Sequence, residues 1–408
     1  MKDGAEINKR SVRRRRVLYA HGFDPATAER YRRIMARSGA ERVSAPPVLS
    51  QVAQMSDVSE GWRITADHGD GRVETVFEIL RYEDIVRQWQ GRPLIKKLWS
   101  GLTAWFGFIF KGGLKRVFSV AKGPGGLFFH PVMMLALFIG LGVFAGRMAG
   151  EGAEILGAPD WASQVGRAVG ALVGLYMSVR FERAFFAHLM LALFDFLFKV
   201  AKEEFPAGRL EMRVELFAHR IAECVNSAKE KKVDEILIVG HSLGGLVAVR
   251  SLARAMEQDV NLTGGRAKIS LLTLGSVSGY VSCHGGVGAD RFGLDVVRIA
   301  SDEDLTWVDV SAPRDWFSFG LVDPLLLLKD PPVEARSPRV ISAKFGKASP
   351  DPDDKRTRFR AMGLHMKYLA APDKEGGFDF LSVVSGEQSL KDRFQGRRNS
   401  PRAKMLTP

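Results

Sequence analysis

The chain has 408 residues and a formal charge of +13 from 59 Lys and Arg against 46 Asp and Glu; 46% of it is hydrophobic, with 42 Gly and two Cys. That apolar fraction excludes a largely disordered chain, and Cys224 and Cys283 are too few for a disulfide scaffold or a zinc cluster, so both read as ordinary thiols. The excess charge is concentrated at the ends: residues 9–16 (KRSVRRRR) carry +6 and residues 391–404 carry +5, leaving +2 for the remainder, which argues against a nucleic-acid groove and for basic arms that meet anionic headgroups.

In chain order, a basic arm over 1–16 leads into Val17-Leu18-Tyr19-Ala20, an apolar run too short for a secretory h-region and suited to a buried strand. His21-Gly22-Phe23-Asp24-Pro25 follows, then helical character over 26–38 with Gly39 as its stop. Residues 61–82 hold two β-prone runs around Asp67-His68-Gly69-Asp70-Gly71, a hairpin signal in which His68 is a turn residue.

Residues 93–204 change character, with few strand signals, many Gly, Phe, Leu and Met, and long uncharged stretches. Residues 127–146 (LFFHPVMMLALFIGLGVFAG) contain no formal charge and would span about 30 Å as a helix, the thickness of a hydrocarbon core, although His130-Pro131 would shorten the span. Residues 161–179 carry only Arg167, and both segments space glycine by four: Gly142, Gly146 and Gly150 in the first, Gly166, Gly170 and Gly174 in the second. Small faces of this kind let helices approach closely in lipid, so a membrane hairpin is expected.

Residues 184–200, interrupted by His188 and Asp195, read as an interfacial or domain-packing helix. The number of crossings must be even, because strands of one sheet precede and follow the insertion. Lys111, Lys115, Arg116 and Lys122 before the first span, and Arg180, Arg183, Lys199 and Lys202 after the second, contrast with Glu151, Glu154 and Asp160 in the connecting loop. Positive-inside logic then gives an integral protein of a plasma or bacterial inner membrane with its folded domain on the cytoplasmic side.

Beyond 205 the pattern is that of a soluble domain: an amphipathic helix over 209–232, a strand over 235–239, and Gly240-His241-Ser242-Leu243-Gly244-Gly245 leading into a helix over 246–255. This is G-x-S-x-G between strand and helix. Ser242 is the candidate nucleophile in a strained turn; Gly240 and Gly244 remove Cβ atoms that would clash across it, and Gly245 lets the helix pack on the strand. The Leu243 N–H, at the helix start, is a candidate oxyanion donor. His241 is adjacent to the serine, which makes it a poor base.

GHSLGG after ILIV resembles the nucleophile elbow of α/β-hydrolase lipases, esterases and thioesterases, and VLYAHGF resembles an early strand of that family. The resemblance covers roughly 15–90 and 205–370. It implies an α/β fold, a hydrolase sheet flanked by helices over 17–92 and 205–370, interrupted by the membrane hairpin (127–146 and 161–179). It implies that Phe23 N–H is the second oxyanion donor.

The family's chain order of Ser, acid, His implies His365 as general base rather than His284. Its placement of the acid beyond a late strand (here 305–310) points to Asp315, with Asp309, Asp302 and Asp304 as alternatives. The expected activity is cleavage of a carboxylic ester or thioester of a lipid-like substrate through an acyl-enzyme, with no cofactor, no metal and no nucleic acid. A non-enzymatic membrane scaffold with this fold, or an acyltransferase using the same triad, are the alternatives. The tail, residues 371–408, reads as basic and disordered.

Overall fold

The first apolar run of the chain forms the strand at the middle of the sheet. The computed structural model describes every residue except 1–10, 42–45, 70, 186, 205–206, 266, 333–335, 337, 347–359 and 407–408, and for 178–185 the backbone alone. Its strands are β1 (Arg14–Ala20), β2 (Val48–Leu49), β3 (Ala53–Ser56), β4 (Ser59–His68), β5 (Gly71–Leu80), β6 (Glu235–His241), β7 (Lys268–Leu274), β8 (Thr306–Ser311) and β9 (Arg339–Ser342). They make one mixed nine-stranded sheet in the order β2-β4-β5-β1-β6-β7-β8-β9, with β3 on β4. From β5 to β9 neighbouring strands are parallel, whereas β4 runs antiparallel to β2, β3 and β5. The hairpin signal around Gly69 thus becomes the β4–β5 turn, of which Asp70 lies outside the described residues.

Both faces of the sheet are buried, which is why β1 and β6 read as continuous apolar runs rather than alternating ones. Leu18, Ala20, Ile236 and Ile238 contribute to one core, while Val17, Tyr19, Leu237 and Val239 contribute to the other. The second core is closed by helix Ala28–Ala40 and by the C-terminal helices Phe380–Ser385 and Leu390–Phe394. Helices Ala207–Asn226, Leu243–Gln258 and Val287–Ala300 cover the first.

After β1 the chain runs to the far edge at β2 and returns inward through β4 to β5 beside β1; it then crosses to β6 on the other side of β1 and continues outward to β9. The carboxyl ends of β1 and β6 therefore flank the point where strand order reverses, the usual position of a site in an open parallel sheet. The hydrophobic region occupies the β5-to-β6 crossover as helices Leu94–Phe110, Gly113–Val120, Lys122–Ile155, Asp160–Phe185 and Ala187–Ala201.

Helices Lys122–Ile155 and Asp160–Phe185 form an antiparallel pair joined by a short loop, and the glycines at four-residue spacing are its seam. A Cβ on Gly174 would overlap the Gly142 Cα, and one on Gly170 would lie 2.6 Å from the Gly146 Cα. Their outer faces expose Leu137, Ile139, Val143 and Phe144 on one helix and Val169, Leu172 and Val173 on the other. Among the described residues only Lys122–Ile155 is long and apolar enough to cross a membrane, with a mean hydropathy of 2.2 over its most apolar stretch, 28% of which is buried. Pro131 lies inside this helix and does not shorten it.

Two expectations are corrected. Residues 14–16 are not part of a loose arm, because β1 begins at Arg14 and Arg15 is buried; residues 1–10 of that arm lie outside the described residues. The tail from 371 is ordered through residue 406, with Phe378, Phe380, Leu381, Val384, Leu390 and Phe394 packed on the sheet. Charge composition hid the first, since the carboxylates that pair with Arg13, Arg15 and Arg16 come from remote segments. Of the two readings of 184–200 the structure has the packing one: Ala187–Ala201 is a core helix whose Asp195 is buried against Arg92 Nη2 and Ser100 Oγ, each at 3.0 Å, so its charge does not require an interface.

Candidate active site

Ser242 sits between β6 and helix Leu243–Gln258 with φ 58° and ψ −120°, a conformation that costs a non-glycine residue roughly 1–3 kcal/mol and persists only where its surroundings over-determine it. The surroundings do so. Ser242 N–H donates to Leu274 O at 2.9 Å, and Gly245 N–H to Ser242 O at 3.0 Å. A Cβ on Gly240 would overlap Gly244 O, and one on Gly244 would overlap Ala20 O at the end of β1. The elbow glycines thus permit approach both across the turn and to the neighbouring strand, while Gly245 meets Ser276 beyond β7 rather than β6 itself.

His365, at the end of helix Arg360–His365, brings Nε2 to 2.8 Å from Ser242 Oγ. Its Nδ1 lies 2.9 Å and 3.1 Å from the two carboxylate oxygens of Asp315, in the turn after β8. With Asp315 ionised, Nδ1 carries the proton and Nε2 accepts from the serine. Burial pushes the Asp315 carboxyl up, but the charge and hydrogen bond of His365, with further donors at Ser318 and Tyr368, outweigh burial and hold it below the usual carboxylate range.

The alternative acids go elsewhere. Asp309 faces Thr273 Oγ1 at 2.6 Å within the sheet, and burial raises it to about 7. Asp302 accepts from Thr263 Oγ1, Asp304 N–H and Leu305 N–H, capping the turn that contains Asp304. His284 stacks on Phe198 and Phe108 below the insertion.

The turn after β1 lies beside the serine: a Cβ on Gly22 would lie 3.1 Å from Ser242 Cβ. It is fixed by a 2.5 Å ion pair between Arg30 and Asp24, and by His21, whose ring stacks on Tyr82 at 4.2 Å while Tyr82 Oη donates to the His21 carbonyl. Neither Phe23 N–H nor Leu243 N–H has an acceptor among the described residues, and both residues are next to Ser242, so two amide donors remain available there.

Two supporting roles do not follow from G-x-S-x-G, which leaves the residue at 241 open and does not reach Tyr368. Tyr368 Oη donates to Asp315 Oδ2 at 2.9 Å and accepts from Ala312 N–H at 3.0 Å; its place one helical turn beyond His365 is the only sequence hint. His241 is held neutral, because burial first and the nearby His365 second lower its pKa to about 3, and its Nε2 donates to the His365 carbonyl at 3.0 Å. It positions the base rather than replacing it.

A cavity of about 60 Å³ adjoins Ser242 and His365, with Leu189, Met190, Leu193, Phe317 and Met362 as its apolar walls. The first three belong to helix Ala187–Ala201, so the inserted region builds part of the site. Cys224 and Cys283 are buried free thiols, and burial pushes Cys283 up to about 12. No family model, no curated protein and no solved structure matches this chain.

Proposed function

We propose that this chain is a membrane-anchored serine hydrolase of the α/β-hydrolase type, cleaving a carboxylic ester or thioester of a lipid-like substrate. The observation that carries the reading is the continuous chain from Ser242 Oγ through His365 to the buried Asp315, at 2.8 Å and 2.9 Å, on a strained elbow with two unused amides beside it.

In this mechanism His365 Nε2 takes the Ser242 hydroxyl proton as Oγ bonds to the acyl carbon, and the carbonyl electrons move to an oxyanion held by Phe23 and Leu243 N–H. The tetrahedral species collapses, the bond to the leaving alcohol or thiol breaks, and the imidazolium returns the proton to it. Water, deprotonated by the same imidazole, attacks the acyl-enzyme, releases the acid and restores Ser242. Asp315 keeps the productive tautomer and stabilises the imidazolium throughout.

Lipid-like substrates follow from the walls of the cavity and from the antiparallel apolar pair. Methionine side chains such as Met190 and Met362 change shape easily, which suits an acyl chain larger than the present cavity. The exposed apolar faces of the two helices exceed what scattered surface residues require, and the charges of the flanking and connecting segments support a hairpin inserted from the cytoplasmic side.

The test is labelling of the detergent-solubilised protein with a fluorophosphonate. Wild type should label at Ser242, while Ser242→Ala and His365→Ala should lose labelling and turnover of a short thioester together. Labelling that survives Ser242→Ala, or its absence from folded wild type, would sink the enzyme reading and leave the scaffold. Transfer of the acyl group to an added alcohol in place of water would identify an acyltransferase.

A further inference from the structure

We propose that an anionic phospholipid from the bilayer docks in a second groove beside the Ser242 cavity, its phosphate on Arg314 and Arg360 and its acyl chains along the foot of helix Lys122–Ile155. This deepens the hydrolase reading, and rests on it, by naming the substrate class.

The groove has a volume of about 560 Å³. One wall is the apolar helix, through Leu127, Met133 and Met134. The others are the turn that contains Asp315 and the helix that ends in His365, and each of these presents alternate residues to the two spaces. Arg314 and Trp316 line the groove, whereas Phe317 lines the Ser242 cavity and Asp315 is buried against His365. Along the helix Arg360 and Leu364 line the groove, whereas Met362 and His365 line the cavity. A ligand in the groove is therefore one side chain away from the catalytic acid and base.

The lining is amphiphilic, with two guanidinium groups beside an apolar helix face. Arg314 and Arg360 are exposed, and neither is paired with a carboxylate among the described residues. Two guanidinium groups match a phosphodiester by charge-assisted hydrogen bonds and have little preference for a neutral apolar ligand. Trp316 is 51% exposed in the same lining and lies against the first turn of the apolar helix: a Cβ on Gly123 would come 3.1 Å from the Trp316 ring. An indole at this level, with exposed Met133 and Leu137 further along the helix, marks the boundary between headgroups and acyl chains. The net positive lining favours an anionic lipid over a zwitterionic one, whose headgroup cation would meet the same arginines, and the apolar wall favours a lipid over free phosphate.

The experiment uses full-length Ser242→Ala protein, so that nothing turns over, in detergent micelles doped with phosphatidylglycerol or phosphatidylcholine carrying brominated acyl chains. Tryptophan quenching is read with and without Trp316→Phe, and the difference is the groove signal. Phosphatidylglycerol should reach half-quenching of that signal at about a tenfold lower mole fraction than phosphatidylcholine, the effect of about one charge-assisted hydrogen bond. The double variant Arg314→Ala/Arg360→Ala should lose the preference, and Arg314→Lys/Arg360→Lys should restore part of it. Equal quenching by the two lipids, or a preference that survives the double alanine variant, overturns the proposal. Wild-type protein that labels with fluorophosphonate but hydrolyses neither lipid would overturn the substrate assignment and leave the hydrolase reading intact, whereas the quenching preference in a protein that does not label would fault the hydrolase reading and leave the groove intact.

Discussion

Asp315 and Asp309 are close in sequence and both are buried, yet their environments drive them in opposite directions. Asp315 is surrounded by donors and a basic ring, so it stays ionised; Asp309 has two hydroxyl donors and no cation, so burial prevails and lifts it to about 7. Asp315→Asn should lower kcat/KM for a thioester by about 10³–10⁴-fold, the scale of losing the tautomer and the charge behind a catalytic imidazole. Asp309→Asn should keep hydrolysis and change the pH dependence of stability. The raised folded pKa means that the Asp309 contribution is fully present below its unfolded pKa, near 3.9, and is lost as pH rises through about 7. The asparagine variant should therefore match wild type near pH 4 and exceed it at pH 8, by up to about 4 kcal/mol at roughly 1.4 kcal/mol per pKa unit, in urea titrations at the two pH values. At this scale the sequence left four acids open, because the choice depends on which carboxylate meets His365, a contact across fifty positions of chain.

The antiparallel helix pair is the element whose sequence signal translated most directly into geometry. Glycines four apart place a smooth stripe on one face of a helix, and two such stripes allow backbone contact; in the structure Gly146 and Gly170, and Gly142 and Gly174, meet along the seam. The same helix carries Gly140, around which there is open space. Gly174→Leu should lower stability in detergent by about 1–3 kcal/mol through overpacking, whereas Gly140→Leu should stay within about 0.5 kcal/mol of wild type, measured by thermal unfolding. A cost at Gly140 equal to that at Gly174 would show that glycine is needed for some reason other than the seam. By contrast, the segment over 184–200 was legible as either interfacial or packed but not as one of the two, because an amphipathic interfacial helix and a packed helix with one paired acid read alike. The Arg92 and Ser100 partners of Asp195, nearly a hundred residues earlier, resolve it.

Across the whole molecule, Arg15 joins parts of the chain that local reading keeps apart. Its Nε meets Glu235 Oε2 at 2.6 Å with both side chains fully buried, and its remaining donors reach the carbonyls of Val384, Gly386 and Gln388 at 2.7–3.0 Å. Glu235 also accepts from Leu390 N–H and Ser270 Oγ. The start of β1, the elbow strand and the C-terminal segment are thereby tied at the amino-terminal ends of the parallel strands, the end opposite Ser242. Arg15→Ala should cost about 3–5 kcal/mol, since it leaves a buried carboxylate unpaired, and should expose the C-terminal helices to protease; a melting temperature equal to wild type would contradict this account. The charge of +13 accordingly has less freedom than its position in the chain implied: Arg13 pairs with Glu387 at 2.7 Å, Arg16 with Glu78 at 3.3 Å and Lys268 with Asp392 at 2.7 Å.

The sequence by itself determined the elements whose cause is local. Apolar runs made the buried strands, four-residue glycine spacing made the helix seam, and glycine on both sides of Ser242 made the elbow. Tertiary structure decided what depends on remote partners: which acid and histidine meet the serine, that Tyr368 and His241 support them, that a helix of the insertion walls the site, and that Arg14–Arg16 and the C-terminal helices belong to the folded sheet domain. The division is physical. Local backbone preferences and periodicity are encoded within a few residues, whereas the pairing of a buried charge or the packing of a long-range contact exists only once the sheet has brought distant segments together.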